Sequence, residues 1–190
     1  LTLANQISAL RLLLIPVFCG FVYAYEPGKD VVRFAALGVF LVACVSDGLD
    51  GYIARHWNQR TALGTRLDPL VDKLLMSLGF VFLAANRAFD PGIPLWFPVL
   101  VVARDTVIVA GAALITQRRG RVEVRPSLLG KTNTVLMMGL LVAALMNFTY
   151  THHLMYAVLC GAILSFYSYV RNGWQQAEKL KTQDTHGQET

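Results

Sequence analysis

The stretch Ser46–Lys73 reads SDGLDGYIARHWNQRTALGTRLDPLVDK and sits between two long apolar runs. It places four carboxylates, Asp47, Asp50, Asp68 and Asp72, where a chain of this character should exclude charge. Hydrophobic residues make up 55% of the 190 residues and charged residues 15%, with a mean hydropathy of +0.48. A soluble domain carries roughly 25% charged residues. A chain this short has too much surface to bury so many apolar side chains within itself. The excess is expected to face lipid, which excludes a soluble enzyme, a nucleic-acid binder and a disordered chain.

Working outward, six stretches approach the ~20 apolar residues of a spanning helix. They are Ile7–Tyr25, Val31–Ala54, Leu67–Ala85, Leu95–Thr116, Thr134–Phe148 and Leu154–Val170. The fifth is short and can extend backward through Asn133 and Thr132. Turn chemistry separates several of them: Glu26-Pro27-Gly28, Asp90-Pro91-Gly92-Ile93-Pro94 and Arg125-Pro126. In a six-span layout one side receives Arg11, Arg55, Arg60, Arg66, Arg118, Arg119, Arg121, Arg125, Lys131, Arg171, Lys179 and Lys181. The other receives Lys29, Arg33 and Arg87. This asymmetry predicts cytoplasmic N- and C-termini. The expected fold is an all-α integral membrane protein with six transmembrane helices, N-in and C-in. Residues 1–173 form the six-span domain, and 174–190 a polar cytoplasmic tail, disordered from Thr185. The chain opens at Leu1, so a short N-terminal piece is expected to precede it, and no cleavable signal peptide is evident. Cys19, Cys44 and Cys160 lie far apart in apolar runs and read as packing residues.

An ionised side chain at the centre of a spanning helix costs ~2.5–3.5 kcal/mol on insertion scales, so the aspartates are functional candidates. Asp47, Asp50 and Ala54 are spaced i, i+3, i+7, and Gly64, Asp68 and Asp72 are spaced i, i+4, i+8. Each set shares one helix face. A short loop makes the two helices antiparallel neighbours, so the four carboxylates converge. Such anions repel unless neutralised. Lys73 cannot serve all four, and oxygen-only ligands suit Mg²⁺ or Mn²⁺. Four carboxylates can hold two ions, a clamp for a phosphoryl group under in-line displacement. Gly51 and Ala54 clear space beside the carboxylates, and Arg55 is placed to grip a phosphate. Cations, arginine and cleared space together suggest a diphosphate.

The pattern D-x2-D-G-x2-A-R-x8-G-x3-D-x3-D is complete at Asp47, Asp50, Gly51, Ala54, Arg55, Gly64, Asp68 and Asp72. It closely resembles the signature of the CDP-alcohol phosphatidyltransferases, integral membrane enzymes of phospholipid synthesis. The resemblance extends to the opening Asn5-Gln6-Ile7-Ser8-Ala9-Leu10-Arg11 and to the six-span layout. It implies that the four aspartates bind two divalent metals. By the same resemblance Gly51, Ala54, Arg55 and Gly64 line the CDP site and Asp72 is the general base. It further implies a homodimer with a cavity open to the cytoplasm and the inner leaflet.

The implied reaction moves the phosphatidyl group of CDP-diacylglycerol to an alcohol and releases CMP. The loop Gln59–Gly64 and the run Leu67–Lys73 resemble the branch of the family that uses glycerol lipids. Members acting on glycerol 3-phosphate often resemble Gly-Lys-x-Lys-Thr at the start of the fifth span. This chain has Gly130-Lys131-Thr132-Asn133-Thr134, without the second lysine. The expected acceptor is therefore phosphatidylglycerol, giving cardiolipin, with glycerol 3-phosphate as the alternative. Arg104, Arg125 and Lys131 are the acceptor-site candidates. Arg104 with Asp105 reads equally as a buried pair that fixes helix packing, and the basic cluster at Arg118–Lys131 equally as lipid-surface charge. His152 and His153 belong to an outer loop, and Tyr167, Tyr169 and Trp174 to an interfacial belt. The implied location is a bacterial or mitochondrial inner membrane, with the site on the cytoplasmic or matrix side. A reading of another class is an ion-coupled transporter with intramembrane carboxylates. Against it, no internal repeat or broken helix is apparent.

Overall fold

The computed structural model describes residues 3–56, 62–119 and 128–186, with side chains over 9–46, 71–108, 110–111 and 129–171. Among the described residues there are six helices and no strand. They are α1 (Leu3–Ala24), α2 (Asp30–His56), α3 (Ala62–Ala85), α4 (Trp96–Arg119), α5 (Leu128–Leu145) and α6 (Thr151–His186). Each apolar stretch expected to span lies on one of these helices. One of them, over Thr151–Arg171, is long and apolar enough by itself to cross a membrane; Ala9–Ala24 and Leu129–Leu145 are shorter apolar helices.

The breaks follow local chemistry. Glu26-Pro27-Gly28-Lys29 closes a tight turn, with Lys29 N–H donating to the Glu26 carbonyl at 3.0 Å and Gly28 at φ 90°. Proline at the second position and a positive-φ glycine at the third are the requirements of a type II turn. Helix α5 starts earlier and stops earlier than the apolar run suggests. Asn147, at φ 51°, ends it. The Asn147 N–H donates to the Ala144 carbonyl and the Phe148 N–H to the Ala143 carbonyl. This is a Schellman cap with asparagine in the left-handed position that glycine usually fills. At the other extreme, α6 runs on through His186 rather than giving way to disorder at Thr185. Gln175-Gln176-Ala177-Glu178-Lys179-Leu180-Lys181 are good helix formers, which sustains the helix through a polar sequence.

Two compact units are distinguished, each described by itself. The first comprises Leu1–Pro98 and Met138–His152. Here α1 packs against both α2 and α3. Phe18 of α1 meets Phe40 of α2 at 5.7 Å between ring centroids, and both are buried. Gly79 of α3 seats Phe18 and Leu141 so closely that an added Cβ would lie 2.7 Å from Leu141 Cδ1. Phe80 and Phe97 pack edge-to-face at 5.2 Å.

Polar ties fix the direction of α1 relative to α3. Arg11 of α1 pairs with Asp72 of α3, and Asn86, just past α3, donates to the carbonyls of Val22 and Tyr25 at 2.8 and 2.9 Å. Partners rise together in number, so α1 and α3 run parallel. Three connections meet at the Asn86 end. Tyr25 stacks on Phe89 at 4.5 Å, Asn147 Nδ2 donates to the Tyr25 hydroxyl at 3.4 Å, and His152 Nε2 lies 3.1 Å from the Gly92 carbonyl.

The second unit comprises Val99–Met137 and His153–Thr190. Asn133 of α5 is buried against Gly161 of α6, where an added Cβ would lie 2.5 Å from Asn133 Oδ1. One turn along α6, the buried Ser165 hydroxyl accepts a hydrogen bond from Arg104 Nη2 of α4 at 2.8 Å.

Candidate active site

The site is anchored at Asp72, on α3 and in the first unit. Its Oδ1 accepts from Arg11 Nη1 at 2.7 Å. The two partners differ in surroundings: the Arg11 side chain is 0% exposed, whereas that of Asp72 is 32% exposed. A guanidinium out of reach of water is costly unless it meets an anion. α1 can carry Arg11 inside because the carboxylate reaches it from the neighbouring helix. Asp72 is thus held by Arg11 while part of its side chain remains accessible.

Sequence reasoning treated Arg11 as topology charge and as part of a resembling motif, and missed this ion pair. The available signal was spacing. Asn5, Ser8 and Arg11 recur every third residue on a helix otherwise apolar but for Gln6, a polar stripe that needs partners. Both motif-bearing helices meet α1, which is a common wall for them.

The helical backbone includes Asp47 and Asp50 in α2 and Asp68 and Asp72 in α3. The side chains of Asp47, Asp50, Gly51, Ala54, Arg55, Gly64 and Asp68 lie outside the described residues, as does Arg125. Among the described residues no three acidic, histidine or cysteine side chains gather as metal ligands. The donor set of the full motif is carboxylate oxygen only, which fits a hard divalent cation.

The acceptor candidates fare differently from one another. Arg104 Nη1 holds Asp105 Oδ1 at 2.7 Å, both side chains largely buried, and reaches Ser165 as well. Through these contacts Arg104 links α4 to α6. Lys131 is exposed on α5. Asn133, where the glycerol-3-phosphate pattern has its second lysine, is 3% exposed and packed on Gly161.

Beside the Arg11–Asp72 pair an apolar groove of about 500 Å³ runs between α1 and α3. Leu12, Ile15, Pro16, Cys19, Gly20 and Tyr23 form one wall, and Leu74, Leu78 and Phe82 the other. Gly20 borders open space there, since a Cβ at this position would meet nothing within 4 Å.

The structure thus sets a buried arginine against a half-exposed aspartate that belongs to the complete motif. The family model for CDP-alcohol phosphatidyltransferases matches residues 1–166, and the chain belongs to that family. It is 32% identical to the cardiolipin synthase (CMP-forming) of Homo sapiens over 76% of this chain, and 30% identical to that of Rattus norvegicus over 95%. It spans 50% of the human protein and 64% of the rat protein. It is also 30% identical to the CDP-diacylglycerol–glycerol-3-phosphate 3-phosphatidyltransferase of Bacillus subtilis, over 95% of this chain and 97% of the relative.

Proposed function

We propose that the chain is a CDP-diacylglycerol-dependent phosphatidyltransferase, and that the half-exposed Asp72 carboxylate, anchored on buried Arg11, is its general base. That accessible yet fixed carboxylate is the observation that carries the reading. An acceptor hydroxyl gives its proton to Asp72 as its oxygen attacks the phosphorus bearing the diacylglycerol. The bond from that phosphorus to the CMP oxygen breaks, and CMP leaves. Gly51, Ala54, Arg55 and Gly64 bind and orient the CDP moiety. Asp47, Asp50, Asp68 and Asp72 would hold two Mg²⁺ or Mn²⁺ ions, which supply charge neutralisation for the diphosphate and the departing CMP.

The protein is read as a six-span membrane enzyme with both termini and the site on the cytoplasmic or matrix side, acting as a homodimer. Large apolar side chains turned outward on several helices support this, among them Leu13, Val31, Val99 and Ile163, which need a lipid surround. The meeting of the three connections around Tyr25, Gly92 and Asn147 at the end away from Asp72 supports the alternation of spans.

Phosphatidylglycerol is the proposed acceptor, with cardiolipin as product. The support is Asn133: its place is filled by a buried contact with Gly161, so the second phosphate-binding lysine has no room there. A phosphomonoester needs that charge more than a phosphodiester does. Arg125 and Lys131 are proposed near the acceptor phosphate. Arg104 would contribute from within its pair with Asp105. Glycerol 3-phosphate is the second reading, favoured by the full-length match to the Bacillus subtilis relative. Purified protein incubated with CDP-diacylglycerol, Mn²⁺ and each acceptor decides: cardiolipin and CMP are expected from phosphatidylglycerol. Phosphatidylglycerophosphate with no cardiolipin would reassign the acceptor, and no CMP from any alcohol would end the transferase reading.

A further inference from the structure

We propose that Arg11 is a positioning residue for Asp72, holding its carboxylate in the orientation from which it takes the acceptor's proton. This rests on the reading of Asp72 as base, and extends it to a residue on a different helix. The pair joins side chains 61 positions apart in sequence at 2.7 Å. Arg11 is wholly enclosed. An enclosed guanidinium has no water to turn to and is confined by the packing of α1 against α2 and α3. Asp72, by contrast, is 32% exposed. The buried partner is therefore the fixed one and the carboxylate the guided one. A charge-assisted bond from a rigid fork sets direction as well as distance. Catalytic groups must be held to within roughly 0.5 Å, and a misplacement of about 1 Å can cost ~10²-fold in rate.

The test is a cycle of Arg11→Met, Arg11→Lys, Asp72→Asn and the double variant Arg11→Met/Asp72→Asn in the full chain. Arg11→Met is expected to lower kcat by ~10²-fold with KM for CDP-diacylglycerol within a few-fold of the parent. Arg11→Lys, which keeps charge and loses the fork, should recover part of kcat. Because the two residues act as a unit, the double variant should be no slower than Asp72→Asn alone. Mn²⁺ binding, followed by electron paramagnetic resonance, should survive in Arg11→Met. Near-parental kcat in Arg11→Met, multiplied losses in the double variant, or loss of Mn²⁺ binding would each overturn the positioning role. If Arg11→Met does not fold, the Arg11→Lys/Asp72→Asn pair answers the same question. Near-parental turnover in Asp72→Asn would instead remove Asp72 as base, whatever Arg11 does.

Discussion

The parallel helices α1 and α3 are tied at two levels, near their middles and at the loop end, and the two ties are built from different materials. At the loop end, the Asn86 amide donates to the carbonyls of Val22 and Tyr25 and accepts from the Ala88 N–H. Neutral groups satisfy backbone groups that the ends of α1 and α3 leave over. At Asp72 the tie is an ion pair between one wholly buried and one accessible side chain. There the bundle keeps a charge that packing alone would not ask for. Buried ion pairs are weak evidence for stability, since their desolvation cost offsets their attraction. The contrast therefore separates a fastening from a tool: the first should govern melting alone, the second turnover as well as melting.

Three substitutions would break or sharpen that division. The largest effect is expected from Asp72→Asn, which keeps the shape and a hydrogen-bond acceptor for Arg11 but cannot take a proton. Turnover should fall by ~10²–10⁴, and the melting temperature in detergent should fall as well, because Arg11 is left enclosed without its anion. A variant that melts early yet turns over normally would invert the assignment. Next is Asn86→Ala. It orphans two carbonyls and should cost ~1–3 kcal/mol of stability, with kcat within a few-fold of the parent. A selective loss of kcat would mean that the loop end reaches the chemistry. The smallest is Tyr25→Phe, which removes the long 3.4 Å contact from Asn147 and leaves the stacking on Phe89. It should cost about 0.5 kcal/mol or less, so a larger drop in melting would reveal a stronger bond than the distance implies.

The helices were legible in the sequence because each apolar run is bounded by punctuation with a mechanism, such as the Pro27-Gly28 turn. The motif was legible because eight fixed positions, four of them aspartate, fall at characteristic spacing over Asp47–Asp72. What escaped depends on partners distant in the chain. Arg11 reads as a terminal basic residue until α3 comes alongside. Asn86 reads as an ordinary loop residue until the end of α1 meets it. The end of α5 was set too late because Met146 and Phe148 continue the apolar pattern, while the backbone at Asn147 turns left-handed. The pairing of Arg104 with Asp105 was one of two readings open in the sequence, and Ser165 supplies the packing partner that adjacency alone could not indicate.

The two ties share one arithmetic: Asp72 follows Arg11 by 61 positions, and Asn86 follows Tyr25 by 61. The intervals from Arg11 to Tyr25 and from Asp72 to Asn86 are thus equal, at about 1.5 Å of rise per residue. One extra residue within either interval would turn everything beyond it by about 100°. It would put the ion pair and the amide clamp out of phase with each other. A matching insertion in the other helix would bring them back together. The spacing between catalytic carboxylate and loop end is in this sense a gauge written twice, once in each helix. Lengthening the chain between Tyr25 and Asp72 leaves both copies untouched.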